Sequence, residues 1–180
     1  MIREFSVKTK PTNNKARLVF VFGMSLAFLF LAISTLIKSY QGLVSIVGVA
    51  FLTVAITVYT KYVAAVYYYD ITFDSEGTPL FVVRQQTGKR YTTLCRISLR
   101  EISGVEKQDA KQRRAHKTPA GINKYSYLPT LDPALVYRIT TIGKYERAEI
   151  LIESSEGFAE LLSSYATEAK ETWINEQDEY

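Results

Sequence analysis

The side chains that most often carry out chemistry in proteins are scarce in this chain. His116 is its single histidine and Cys95 its single cysteine, so the sequence offers neither a histidine-rich metal site nor a cysteine-built zinc site, and no disulfide within these residues. His116 lies in a polar, basic stretch, which predicts an exposed surface histidine. Cys95 alternates with apolar residues and has no base near it in the sequence, which favours buried packing over a nucleophile.

Paired carboxylates and phosphate-binding motifs are not indicated either. Asp70 and Asp74 are four residues apart, and in a strand that spacing separates them by about 13 Å, too far for one acid–base pair. The sequence contains no glycine-rich nucleotide-binding loop, no Gly-x-Ser-x-Gly and no His-Glu-x-x-His. We therefore predict a protein that is not an enzyme, with no catalytic residue, cofactor or metal. An enzyme whose carboxylates resemble surface acids stays open as an alternative.

Basic residues are the remaining chemical signal, and several of them lie in predicted loops between residues 87 and 144. Each lysine or arginine close to an anionic membrane surface contributes about 1 kcal/mol of attraction, and the alternative is an ordinary solvated loop. Nucleic acid is not predicted as a partner, because the basic stretch lacks the interleaved aromatic residues that stack on single strands. The residues predicted to face anionic lipid headgroups are Lys89, Arg90, Lys111, Arg113, Arg114, Lys117 and Lys144.

Two long apolar runs come before these residues. Residues 18–37 and 43–60 contain no charged side chain, and helices of that length span roughly 30 Å, the thickness of a bilayer's hydrocarbon core. A cleaved signal peptide would have a shorter apolar region, and a soluble helical hairpin would keep a polar face. We predict a transmembrane hairpin of two helices over residues 18–66, so the lipid bilayer is the first predicted partner.

The charges that flank the hairpin predict its orientation. Residues 1–17 carry five basic residues against Glu4 alone, whereas the connector between the two runs carries only Lys38. Basic residues that flank membrane spans stay on the cytoplasmic side. We therefore expect a multi-pass protein of the cell (inner) membrane with both termini in the cytoplasm. Residues 1–17 are accordingly predicted to form a basic cytoplasmic segment, and residues 175–180 an acidic tail.

Residues 67–174 are predicted to form a separate mostly-β domain. From residue 67 onward apolar residues alternate with polar ones in short runs, which predicts seven strands near residues 67–73, 80–86, 90–97, 104–107, 125–128, 135–139 and 148–152. The spacing of Phe158, Leu162, Tyr165, Ala169 and Trp173 then predicts an amphipathic helix.

This inventory of strands and a terminal helix resembles the pleckstrin-homology-like (PH-like) domain. It is similar in particular to the bacterial membrane-anchored YcxB-like proteins, through residues 97–102, 125–131, 136–137 and 158–162. The resemblance implies a seven-stranded antiparallel barrel closed by a carboxy-terminal amphipathic helix, and it implies no activity. The loop at residues 74–79 contains two acids and no base, which departs from the PH-like domains that bind phosphoinositides.

The predicted up-and-down order of the strands places the basic loops together. If the first strand leaves the membrane at residue 67, the loops at residues 87–90, 108–123 and 141–144 return towards the bilayer. We therefore predict a non-enzymatic, membrane-anchored module that presents an interaction domain at the inner leaflet to an unknown protein partner. The alternative is an accessory or regulatory subunit of a membrane complex that is engaged through the transmembrane helices.

Overall fold

The computed structural model describes residues 5–9, 14–143 and 147–178 of the chain. The chain divides into two compact units. Pro11–Ala65 form a helical unit, and Met1–Lys10 together with Val66–Tyr180 form a second unit, which we call the β unit. The β unit therefore takes its residues from both sides of the helical unit in the sequence.

The helical unit consists of α1 (Asn14–Leu36), a short 3-10 helix (Lys38–Tyr40) and α2 (Gln41–Tyr62). Both α1 and α2 are long and apolar enough to cross a membrane, which agrees with the predicted pair of apolar helices. Glycines lie where the two helices meet. A Cβ atom added to Gly23 would lie 3.2 Å from the Cβ of Ala55, and one added to Gly48 would lie 2.9 Å from Leu31 Cγ. These small residues allow the close approach of α1 and α2.

Sheet A of the β unit contains β1 (Phe5–Thr9), β2 (Ala65–Phe73), β3 (Pro79–Thr87) and β4 (Arg90–Ser98), in that spatial order. β1 pairs antiparallel with β2, with Thr9 opposite Tyr67. The sequence pattern does not predict β1, because only Phe5 and Val7 alternate within a basic segment. Part of the predicted basic segment is thus an edge strand of the β unit.

A bulge in the β3–β4 pair changes which residues of β4 share a face. Val83 is opposite Cys95, but the next residue of β3, Arg84, is opposite Thr93. Leu94, which lies between Thr93 and Cys95 in β4, is not matched by a residue of β3, so the alternation of β4 reverses at this point. Cys95 and Ile97 therefore face the core side, whereas Tyr91, which alternation alone would place with them, contacts Tyr68 with ring centroids 5.8 Å apart.

Sheet B contains β5 (Ile102–Gln108), β6 (Asn123–Tyr127), β7 (Val136–Ile142) and β8 (Arg147–Ile152), in the spatial order β5-β7-β8-β6. The β5–β7 and β7–β8 pairs are antiparallel, but β6 runs parallel to β8. The expectation that every strand is antiparallel is therefore wrong for β6. A parallel neighbour requires a crossover, and the segment from residue 109 to residue 122, which includes α3 (Ala110–Ala115), provides it.

The described residues form two four-stranded sheets, and no closed barrel is found among them. Side chains from both sheets and from α4 (Glu156–Asp178) form the core. Phe158 of α4 lies between Tyr69 and Phe81 of sheet A, with ring centroids 6.4 and 6.5 Å away. The Tyr69 hydroxyl donates to the carbonyl of Tyr127 at 2.7 Å and joins sheet A to sheet B. Its burial raises the pKa of Tyr69.

Candidate interaction surfaces

Lys89 and Arg90 lie together at one end of sheet A, and both are exposed. Lys89 is in the turn between β3 and β4, and Arg90 is the first residue of β4. Tyr68, near the start of β2, donates its hydroxyl to Gln86 near the end of β3 at 2.8 Å. β1 is antiparallel to β2, so it ends where β2 begins. The turn with Lys89 and Arg90 therefore lies at the end of sheet A where the chain leaves β1 and enters β2.

The other predicted lipid-facing residues lie on different parts of the β unit. In the crossover, Arg113 pairs with Asp132 at 3.8 Å and has a side chain only 18% exposed. Lys144 lies outside the described residues. The exposed members of the set in the crossover are Lys111, Arg114 and Lys117.

The ends of sheet B do not follow the predicted up-and-down order. The crossover begins after Gln108, which is opposite Val136, whereas β7 continues to its other end, where Thr141 is opposite Ile102. The connection from β7 to β8 therefore starts at the opposite end of sheet B from the crossover. The structure brings Lys89 and Arg90 together at one end of sheet A. The expectation that all three basic loops share one end assumed an up-and-down meander, and sheet B does not form one.

His116 is not the exposed surface histidine that the sequence predicts. Its side chain is 25% exposed, and its Nε2 lies 2.9 Å from a carboxylate oxygen of Glu149 on β8. Nη1 of Arg138 lies 2.7 Å from Nδ1 and 2.6 Å from Nε2 of the His116 ring. His116 thus fastens the crossover to the outer face of sheet B.

Glu149 is the centre of this cluster, and its side chain is only 5% exposed. Besides His116, it accepts a hydrogen bond from the Thr118 hydroxyl at 2.9 Å, and Nη1 of Arg138 lies 3.6 Å away. Burial acts to raise the pKa of the Glu149 carboxyl. The hydrogen bonds from His116 and Thr118, with the nearby charge of Arg138, outweigh burial, and its pKa is lowered from the usual 4.5.

The hydrogen bonds of the His116–Glu149 pair are all made within the β unit. All of its hydrogen-bonding atoms engage each other or neighbouring protein groups, and Arg138 also pairs with Glu106. Within the described ranges, no group of three or more histidine, cysteine, aspartate or glutamate residues could hold a metal ion. The arrangement holds one segment onto a sheet, which is a structural task. The spacing of residues in the sequence could not reveal the contact between His116 and Glu149, because the two residues lie far apart along the chain.

Cys95 lines a cleft between the free edges of the two sheets. β4 and β6 are each at the edge of a sheet, and the cleft beside them has a volume of about 370 Å³. Its walls include Leu94, Ile150 and the parallel rings of Tyr125 and Tyr127, which lie 6.4 Å apart. The Tyr127 hydroxyl donates to the Leu94 carbonyl of β4 at 3.3 Å. Cys95 is half-buried here, which is less enclosed than the predicted core position.

A second groove lies between β5, the other free edge of sheet B, and α4. It has a volume of about 330 Å³. Lys107 of β5 and Glu156 of α4 form an ion pair at 2.8 Å beside it. Its lining residues are Val105, Lys107, Tyr137, Glu156, Ala159, Glu160 and Ser163.

No protein-family model matches the chain, and no curated protein is significantly similar to it in sequence.

Proposed function

We propose that this protein is a non-enzymatic membrane-anchored module, in which the helical unit spans a bilayer and the β unit serves as an interaction domain on the cytoplasmic side. The observation that carries the proposal is the pairing of β1 with β2. These strands flank the helical unit in the sequence, yet they belong to one sheet.

The exposed surface of the helical unit supports the membrane assignment. Only 11% of the residues in the apolar window of each helix are buried within the protein. Large apolar side chains such as Phe22, Phe28 and Ile46 are 63, 64 and 67% exposed. A soluble core helix would bury such side chains, whereas a lipid environment solvates them.

The β1–β2 pair supports an even number of crossings. If α1 and α2 both span the bilayer, the chain returns to the side from which it started, and β1 can reach β2. With a single crossing, the two strands would lie on opposite sides of the membrane and could not pair. The basic residues before α1 and the single Lys38 in the connector support the cytoplasm as the shared side.

We also propose that the β unit is a divergent PH-like domain. Two sheets followed by a carboxy-terminal helix support this relationship, although the parallel β6 is not part of the expected pattern. Fold alone does not assign an activity.

Cysteine labelling in intact cells tests the proposed topology. In a Cys95→Ser background, single cysteines replace Ser39 in the connector, Ser6 in β1 and Lys117 in the crossover, all of which are exposed. We expect a membrane-impermeant maleimide to label Ser39→Cys in intact cells, and the other two only after permeabilisation. Labelling of Ser6→Cys and Lys117→Cys from opposite sides would contradict the proposal, as would extraction of the full chain from membranes by alkaline carbonate.

Lys89 and Arg90 are the part of the predicted basic set that we propose to face anionic headgroups. They lie at the end of sheet A where both connections to the helical unit leave the β unit. Arg113 is less suited to this role because Asp132 already pairs with it. Two exposed cations contribute about 2 kcal/mol near an anionic surface, and salt screens that attraction.

A dye at the β3–β4 turn tests this lipid-facing role in the full chain. The dye is attached to Thr87→Cys in the Cys95→Ser background, in nanodiscs of neutral or anionic lipid. We expect its emission to shift to the blue only in anionic nanodiscs, and the shift to disappear in Lys89→Glu/Arg90→Glu and at about 0.5 M salt. The pair Lys111→Glu/Arg114→Glu is the matched charge control and should keep the shift. Equal emission in the two lipids would refute the role.

A further inference from the structure

The outer face of sheet A is the side of the sheet that points away from the core. Tyr69 and Phe81 point into the core, where both contact Phe158. The residues that alternate with them in β2 and β3 therefore face outwards, as do the residues opposite those in β1 and β4. The charged and aromatic side chains of this face are Lys8, Tyr68, Asp70, Arg84, Tyr91 and Arg96.

The outer face of sheet A has a net positive charge. Asp70 pairs with Arg84 at 2.6 Å and is only 1% exposed, so the acid of this face is already neutralised. Lys8 of β1 and Arg96 of β4 are both exposed, and no ion pair to either is found among the described residues. The face therefore presents two cations to a partner of opposite charge.

Tyr91 is an exposed ring on the same face. Nζ of Lys8 lies 5.8 Å from the centre of the Tyr68 ring, and the Tyr68 and Tyr91 rings are 5.8 Å apart. Tyr68 is half-buried, whereas Tyr91 is 59% exposed. Tyrosine rings contribute strongly to protein–protein interfaces because they bury a large apolar area on binding. Tyr91 is therefore placed to pack against an apolar side chain of a partner.

Lys8 and Arg96 lie at opposite corners of the face. β1 and β4 are the first and fourth strands of sheet A, and three strand spacings measure roughly 14 Å. Lys8 is level with Tyr91 through their shared contact with one tyrosine ring. Tyr91 is opposite Gln86 of β3, whereas Arg96 is opposite Val82, which lies roughly 13 Å further along that strand. The two cations are therefore roughly 20 Å apart, too far for one compact anion to contact both.

This spacing favours a protein segment over the other anionic partners. A bilayer that contacts the end of sheet A at Lys89 and Arg90 does not reach Arg96, which lies roughly 20 Å further along β4. A single-stranded nucleic acid stacks successive bases on several exposed rings, but Tyr68 is half-buried and leaves Tyr91 for only one base. An acidic segment of a protein carries separated carboxylates together with apolar side chains.

We propose that the outer face of sheet A binds an acidic segment of a protein partner. Carboxylates of the segment pair with Lys8 and Arg96, and an apolar side chain between them packs on Tyr91. This inference deepens the proposed function, on which it rests, by giving the interaction domain a surface and a class of partner.

Peptide binding to the full chain in neutral-lipid nanodiscs tests the proposal. The probes are fluorescent peptides with two glutamates at each end, separated by about eight leucine, serine and glycine residues that span roughly 20 Å. Matched peptides carry glutamine or lysine in place of glutamate. We expect the glutamate peptide to bind about tenfold more tightly than the glutamine peptide, with the lysine peptide weakest. The preference should disappear at about 0.5 M salt.

Charge reversal provides matched variants. Lys8→Glu/Arg96→Glu should reverse the order of the three peptides, so that the lysine peptide binds most tightly. A misfolded chain would not gain this binding. Lys111→Glu/Arg114→Glu makes the same change in net charge in the crossover and should leave the order unchanged. An order that follows net charge alone, and changes equally in both double variants, would overturn the proposal.

The aromatic contact has its own pair of variants. Tyr91→Ser should weaken binding of the glutamate peptide about fivefold, the effect of losing one packed ring. Tyr125→Ser removes a ring that is 39% exposed on β6 and should leave the affinity unchanged. Equal effects of the two substitutions would contradict the assignment of the outer face.

Zero-length carbodiimide coupling locates the bound peptide, because it joins a carboxylate only to an amine in contact with it. We expect the glutamate peptide to couple to Lys8. Coupling to Lys111 or Lys117 instead would overturn the proposal. Tighter binding of a single-stranded oligothymidylate than of the glutamate peptide would also overturn it and assign the face to nucleic acid.

Failure of this proposal can be told apart from failure of the proposed function. The maleimide labelling pattern and the stable incorporation of the chain into nanodiscs do not depend on the outer face of sheet A. If both hold and the peptides do not bind, the membrane-anchored module stands and this face is not its site for an acidic partner.

Discussion

Glu149→Ala should destabilise the β unit by about 3 kcal/mol, because it removes one member of a buried charged cluster. Glu149 is 5% exposed, and its loss leaves Arg138, 14% exposed, without its interior partner. It also releases His116 and Thr118, which hold the crossover onto sheet B. Urea unfolding of the full chain in detergent measures the change, with the fluorescence of the single tryptophan, Trp173, as the signal.

Glu106→Ala is the matched control for this prediction. Glu106 pairs with the same arginine, but its side chain is 61% exposed. Solvent and salt screen such a pair, so its loss should cost less than about 1 kcal/mol. Equal losses of unfolding free energy for Glu106→Ala and Glu149→Ala would show that burial does not determine how much each carboxylate of this cluster stabilises the fold.

The pKa of Glu149 gives the same cluster a pH dependence. Its folded-state pKa is below the usual 4.5, so the folded protein binds a proton here less readily than the unfolded chain does. The contribution of Glu149 to stability is therefore fully present above pH 4.5 and is lost as the pH falls through the lower folded-state value. Glu149→Gln cannot titrate at this position, so the stability difference between it and the native chain should shrink as the pH falls below about 4.5.

Much of the architecture follows from local sequence patterns. The apolar runs predict α1 and α2 because helices of that length and composition need no information from the rest of the chain. Alternation likewise predicts strands close to β2 through β8, within a few residues at their ends. These elements depend on the period of apolar residues, which the sequence displays directly.

The pairing of strands depends on contacts that the sequence does not display. β1 is only five residues long, and its partner β2 follows the whole helical unit. The bulge opposite Val83 shifts the alternation of β4 with no glycine or proline to mark it. The parallel position of β6 follows from a crossover that Glu149 and His116 hold in place, and these residues come together only in three dimensions.

The candidate sites also divide into features that the sequence displays directly and features that arise only in the folded chain. The basic character of the β3–β4 turn can be predicted from Lys89 and Arg90 alone. The groove at Tyr137 cannot, because Tyr137 alternates with apolar residues like any core position of β7. The groove forms only when Glu156 and Glu160 of α4 are placed opposite β5.

Phe158→Ala is the second large effect that we expect, at about 3–5 kcal/mol of stability lost from the β unit. Phe158 is 4% exposed and lies between Tyr69 and Phe81, so its removal leaves a cavity between α4 and sheet A. Hydrogen exchange of the full chain in nanodiscs measures the loss, and the amides of α4 should become the fastest-exchanging backbone of the β unit.

Trp173→Ala is the matched control for the Phe158→Ala prediction. Trp173 shares the predicted apolar stripe of α4 with Phe158 and is the larger side chain, but it is 43% exposed. If the stripe as a whole anchors α4, both substitutions should release the helix. If burial against sheet A anchors it, Trp173→Ala should cost less than about 1 kcal/mol and leave exchange in the first turns of α4 unchanged. We expect the second result, because hydrophobic stabilisation follows the area removed from water and not the position of a residue in a periodic pattern.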